Sequence, residues 1–278
     1  MEDPSLLELR RALRALYSPC IPVSVRNEAD AFLQNFLFSR ECFDLSLLLI
    51  RSQDAAFFEQ LFCARALHQR LRCSVMKTPG LQPQQASHQI ITAEEWQKCR
   101  EALIVLATRY SPEPEGRPIV TQLCMALAAL AAKMEGWGCD MLVQDIGQAL
   151  GSSPLALAET LRVLPEEVES KALSIHPDRR TQVRLALQAS TRCALDMLDE
   201  LWNVCILAGD ARLAISVLQA ITAWIDFAPR ELRPVASKAS LAALHIVASP
   251  QHLPLSSDAQ VLAQVLSVRL PFLSIQLF

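Results

Sequence analysis

Arg65, Gln69 and Arg72 form the most pointed cluster of polar side chains in this sequence. They lie at i, i+4 and i+7 within DAAFFEQLFCARALHQRLRC (54–73), so a helix there presents them on one face. The row has two readings: a solvated surface, or a contact row on the inner wall of a curved helical stack. Arg179-Arg180 carries the same ambiguity. Two cations in the first turn of a helix oppose its dipole, which favours a partner or a carboxylate nearby, though a solvated position costs as little.

The other residues able to do chemistry lack the spacing for it. There is no GxSxG, HExxH, P-loop or GxGxxG pattern. The acidic pairs Glu94-Glu95 and Glu166-Glu167 fall at helix edges, where solvated carboxylates are commonplace, and no DDxxD-like cluster supports an all-helical terpenoid enzyme. His68, His88, His176, His245 and His252 have no metal-ligand spacing, and Pro250 separates the last two. Nine cysteines stand at 20, 42, 63, 73, 99, 124, 139, 193 and 205 with no CxxC pair, which reads as reduced, buried thiols. No enzyme, cofactor or metal is expected.

The elements that position these residues are helices. The 278 residues are 51% hydrophobic with only 7 glycines, while alternating β-branched runs are missing. A net charge of −3 without a basic stripe argues against nucleic acid. No membrane insertion is expected, because the most apolar stretch, 118–132, is too short to span a bilayer core of about 30 Å. The charged, amphipathic start MEDPSLLELRRALRAL is not a signal peptide.

Proline, glycine and capping residues divide the chain into helical hairpins. Ser5-x-x-Glu8 and Thr92-x-x-Glu95 are capping-box patterns, Ser153 and Asp210 are expected N-caps, and Gly209 a left-handed C-cap. Helices are expected at about 5–16, 24–37, 41–51, 54–73, 93–110, 118–135, 139–150, 153–164, 178–208 and 211–227. Further helices are expected up to 247 and from 257. Pro165 is expected to break the chain after Leu164. The helix at 118–135, apolar nearly all round, should lie between layers. Five to six such hairpins predict an all-α fold, an α-α superhelix of the HEAT or ARM type, as a single solenoid over 1–278 with a divergent end at 243–278.

Three segments carry a family resemblance: Phe62 to Leu71, Ile119-Val120-Thr121-Gln122-Leu123 with Ala126-Leu127-Ala128, and the joint from Leu164-Pro165-Glu166-Glu167-Val168 to Arg179-Arg180-Thr181. Together they resemble nuclear transport receptors of the importin-β superfamily, in particular the transportin-SR branch. Arg65 stands where that family usually has Gln, and Ala66 where it has Thr. The resemblance implies a non-enzymatic import receptor shuttling between nucleus and cytoplasm. Its implied partners are the small GTPase Ran in its GTP form, FG-nucleoporins on outer grooves, and Arg/Ser-rich protein cargo. Arg65, Gln69, Arg72 and Gln122 are then the candidate Ran-facing residues. The resemblance also implies that the chain is the N-terminal portion of a longer receptor. The alternatives are a two-way importin/exportin of the same superfamily, or a HEAT scaffold for a phosphatase or chaperone complex.

Overall fold

The computed structural model describes residues 4–73, 75–76, 90–91, 93–134 and 141–228. Among them are eleven helices and one short parallel pairing of β1 (Val75–Met76) with β2 (Ile90–Ile91). The fold class is all-α, a HEAT-like solenoid of helical hairpins. The helices expected beyond 228 and the cap at Thr92 lie outside the described residues. The chain forms two compact units, described separately. The first comprises 1–134 with 170–177, and the second 135–169 with 178–278.

The first unit holds α1 (Pro4–Tyr17), α2 (Val23–Phe38), α3 (Cys42–Arg51), α4 (Phe57–Cys73), α5 (Ala93–Tyr110) and α6 (Arg117–Lys133). Hairpin partners pack together, and so do equivalent helices of successive hairpins. The first helices α1, α3 and α5 make one layer and the second helices α2, α4 and α6 another. A hairpin has two apolar flanks, and stacking covers both. As expected, α6 is buried on nearly every side, from Ile119 to Lys133. Its start needs Gly116, where a Cβ would come within 2.7 Å of the Tyr110 carbonyl oxygen.

In the second unit, α7 (Leu142–Leu150) pairs with α8 (Pro154–Glu169), and α10 (Thr191–Ala208) with α11 (Ala211–Phe227). The second helices α8 and α11 again pack side by side. Asp210 caps α11 as expected, its carboxylate accepting from the Arg212 and Leu213 amides, and Gly209 is left-handed at φ 66°. Ser153 does not cap through its side chain, because Ser153 Oγ has no hydrogen-bond partner. Ser5 lies within α1 rather than before it.

Two expected boundaries are wrong. Pro165 does not end a helix but lies inside α8, which continues to Glu169. Proline removes the N–H that would bond the carbonyl four residues earlier, here that of Leu161. The indole of Trp224 on α11 donates to that carbonyl instead, at 2.9 Å. Conversely, the single helix expected over 178–208 is two, α9 (Pro177–Ala189) and α10, parted at Ser190. Ser190 Oγ donates to the Ala186 carbonyl at 3.0 Å and Thr191 Oγ1 to that of Gln188 at 2.8 Å, so side chains compete for the carbonyls at the junction.

Helix C-termini share one solution. Arg26 donates to the Ser18 carbonyl just past α1, Arg70 to Phe38 of α2, Arg109 to Arg51 of α3, and Arg180 to Val168 of α8. Buried Lys133 donates to both Leu71 and Arg72 at the end of α4. In each case a cation meets unsatisfied carbonyls and the negative end of a helix dipole. This accounts for Arg180, whose charge opposes the start of α9 but suits the end of α8. Nearby, Arg184 pairs with Glu169 at 3.0 Å.

Candidate functional site

The N-terminus of α4 is set by carboxylates. Glu59, fully buried, reaches back to the Ala56 amide at 3.0 Å and also pairs with Arg14 of α1 at 3.1 Å. The back-bond is the carboxylate half of a capping box. Arg10 of α1 binds the Asp54 carboxylate through two nitrogens, at 2.9 and 3.2 Å, and donates to Ser52 Oγ. Hydrogen bonding from Arg10, then from Ser52, holds the Asp54 carboxyl well below the usual range. Lys133 fixes the other end, at 2.6 Å from the Leu71 and 2.8 Å from the Arg72 carbonyl oxygen.

Held at both ends, α4 packs along α6, and the two enclose the walls of an open groove of about 790 Å³. Arg65, Gln69 and Arg72 line it from α4, and Gln122 from α6. The four residues singled out from sequence therefore share one groove. Arg65 and Gln69 are exposed, Arg72 and Gln122 half-buried. Among the described residues, Arg65, Gln69 and Gln122 make no hydrogen bond or ion pair. Arg72 differs: it donates to Ser170 Oγ, and the Ser174 amide donates to the Arg72 carbonyl at 2.9 Å. The row is thus not simply a solvated face, since its last member tethers the segment 170–176.

Sequence reasoning missed His68, Arg117 and Thr121, which line the same groove. A signal was present for two of them. Arg117, Thr121 and Gln122 stand at i, i+4 and i+5, the periodicity that grouped Arg65 with Gln69. It was obscured because Arg117 falls at a helix start beside Pro118.

The other candidates have structural partners. Glu94 pairs with Lys98 at 2.8 Å, and Glu166 approaches Arg162 at 3.6 Å. Among the described residues no group of three His, Cys, Asp or Glu could hold a metal ion, and no helix is long and apolar enough to cross a membrane. Burial pushes the Cys42 thiol up to about 11 and that of Cys99 up to about 12, which keeps both protonated and unreactive. The expectation of burial fails at Cys20, which is exposed, and at Cys73 and Cys193, which are half-buried.

Comparison with known proteins agrees with this architecture. Residues 116–250 match the family model described as Exportin 1-like protein. The chain is similar to Transportin MOS14 of Arabidopsis thaliana, 25% identical over 222 residues, covering 78% of this chain and 21% of that protein. The chain thus spans about a fifth of the length of that curated relative. Both likenesses are to proteins described as exportin-like or transportin.

Proposed function

We propose that this chain supplies the GTPase-facing wall of a nuclear import receptor, with Arg65, Gln69, Arg72 and Gln122 contacting Ran in its GTP form. The observation that carries the proposal is their convergence on one groove between α4 and α6, three of them without a partner among the described residues. Interface energy concentrates in a few side chains, and arginine is enriched among them. The likeness to a protein named a transportin supports a role in transport, and import of Arg/Ser-rich cargo with shuttling between nucleus and cytoplasm is part of the same proposal. Leu48 of α3 and Val105 of α5, exposed on the first-helix layer, support FG-nucleoporin contacts there. The assignment of 1–278 to a single HEAT-repeat array belongs to the same proposal.

The Exportin 1-like match favours a second reading, a receptor that carries cargo outward or both ways. Coupling between two ligands is reciprocal, so its sign separates the readings. On an importer, Ran·GTP and cargo weaken each other's binding to the receptor; on an exporter they strengthen it. The test is capture of the purified chain on immobilised Ran·GTP, with Ran·GDP as control. Retention on the GTP form alone supports the proposal, and no retention on either refutes it.

A further inference from the structure

The charge of the α4/α6 groove goes beyond what its shape requires. Among the described residues that line it are Arg65, Arg72 and Arg117, and none is Asp or Glu. Several cations elsewhere in the chain are spent on structure, Arg10 on Asp54, Arg14 on Glu59, and Arg26, Arg70, Arg109, Lys133 and Arg180 on helix C-termini, while others such as Arg11 are simply exposed. Arg65 has no such assignment. Among the described lining residues the groove thus carries three arginines and no carboxylate, in a chain whose net charge is −3.

We propose that this groove is a docking cleft for an Asp/Glu-rich polypeptide segment of a protein partner. The proposal rests on the reading that the α4/α6 wall faces a partner, and it names the chemistry the partner must bring. Arg65 and Arg72 are seven residues apart, about 10 Å along a helix rising 1.5 Å per residue. One carboxylate cannot serve both, so the ligand carries several. In an extended segment at about 3.3 Å per residue, acids three positions apart match that span. Arginine donates through a planar fork suited to carboxylate oxygens. Ser170 holds the Arg72 guanidinium in place. Gln69 and Gln122 add uncharged donors and acceptors for the segment's main chain. Nucleic acid fits less well, since no Phe, Tyr or Trp among the described lining residues offers a base a stacking platform, and His68 is buried.

The test is fluorescence anisotropy of the 278-residue chain with three labelled probes: a Glu-rich peptide with acids three apart, the same peptide with Gln for Glu, and a single-stranded oligonucleotide of equal charge. The Glu peptide should bind, more weakly as salt rises, and the Gln peptide should not. Arg65→Glu and, separately, Gln122→Glu should each weaken the Glu peptide about tenfold or more, as like charges meet across the cleft. Arg11→Glu, an equal charge change at an exposed position on α1, should leave it unaltered. Equal binding of the Glu and Gln peptides, equal or tighter binding of the oligonucleotide, or equal damage from Arg11→Glu would each overturn the proposal. Ran·GTP capture of the same variants keeps the two readings apart. A chain that captures Ran·GTP but ignores the Glu peptide loses only the acidic-segment ligand, and one that binds the peptide but not Ran·GTP loses only the GTPase.

Discussion

The Trp224 indole donates to the Leu161 carbonyl oxygen at 2.9 Å, filling the place left by the N–H that Pro165 lacks. One bond thus repairs the interior of α8 and ties it to α11. A buried acceptor left unsatisfied costs about 1–3 kcal/mol. Trp224→Phe should therefore lower stability by about that amount, read by urea unfolding. Pro165→Ala restores a backbone donor to Leu161, so the same Trp224→Phe change should cost less in that background. Equal costs in both backgrounds would mean the indole bond does not repair the proline site.

Lys133 should matter more than its position at the end of an apolar helix suggests. It is 3% exposed and holds two carbonyls at the end of α4. Lys133→Met keeps the apolar stem and removes the donor. It should destabilise the first unit by about 1.5–3 kcal/mol per charged hydrogen bond lost, and speed amide exchange in the last turn of α4. Unchanged exchange there would show that water replaces the ammonium without cost.

Much of the layout was legible from local signals. Proline and glycine punctuation placed the hairpins, and apolar periodicity marked α6 as buried. Asp210 and Gly209 behave as their types predict. What failed was non-local. Pro165 breaks a helix unless something supplies a donor, and that donor is 63 residues in sequence from the Leu161 carbonyl it serves. Arg10, Arg70 and Lys133 look like surface charges until their carboxylate or carbonyl partners are known. The groove was half legible: helical spacing grouped three residues on α4, but only packing against α6 brought Gln122 and Arg117 to them.

Asp54 predicts an acid limb. Its carboxyl is held below the ordinary value of about 4 by Arg10 and Ser52, so the folded state binds its proton less readily than the unfolded chain. That stabilisation is fully present above the unfolded value and is lost as pH falls from there through the lower folded one. The unfolding midpoint of Asp54→Asn should therefore lie below the parent's at neutral pH and converge with it in acid. A constant gap across that range would remove Asp54 from the account of acid sensitivity.

Arg65 and Arg72, alike in sequence, should behave differently when truncated. Arg65→Ala removes an exposed side chain without a partner among the described residues and should change stability by no more than about 0.5 kcal/mol. Arg72→Ala also removes the bond to Ser170 and should cost about 1–2 kcal/mol. Limited proteolysis should then reach the segment 170–176 sooner in Arg72→Ala than in Arg65→Ala. Equal rates would mean that the main-chain bond from Ser174 to Arg72 suffices to hold the segment.

The central claim is that the α4/α6 groove is a GTPase-facing wall, and its most direct test is calorimetric titration of the chain with Ran·GTP and Ran·GDP. The variant to compare carries Arg65→Ala, Gln69→Ala and Gln122→Ala, three polar groove residues without partners among the described residues. The account predicts binding to the GTP form alone, weakened about ten- to a hundredfold in the variant, with the unfolding midpoint unchanged. Equal affinity of parent and variant for Ran·GTP, or no binding by the parent, would contradict it.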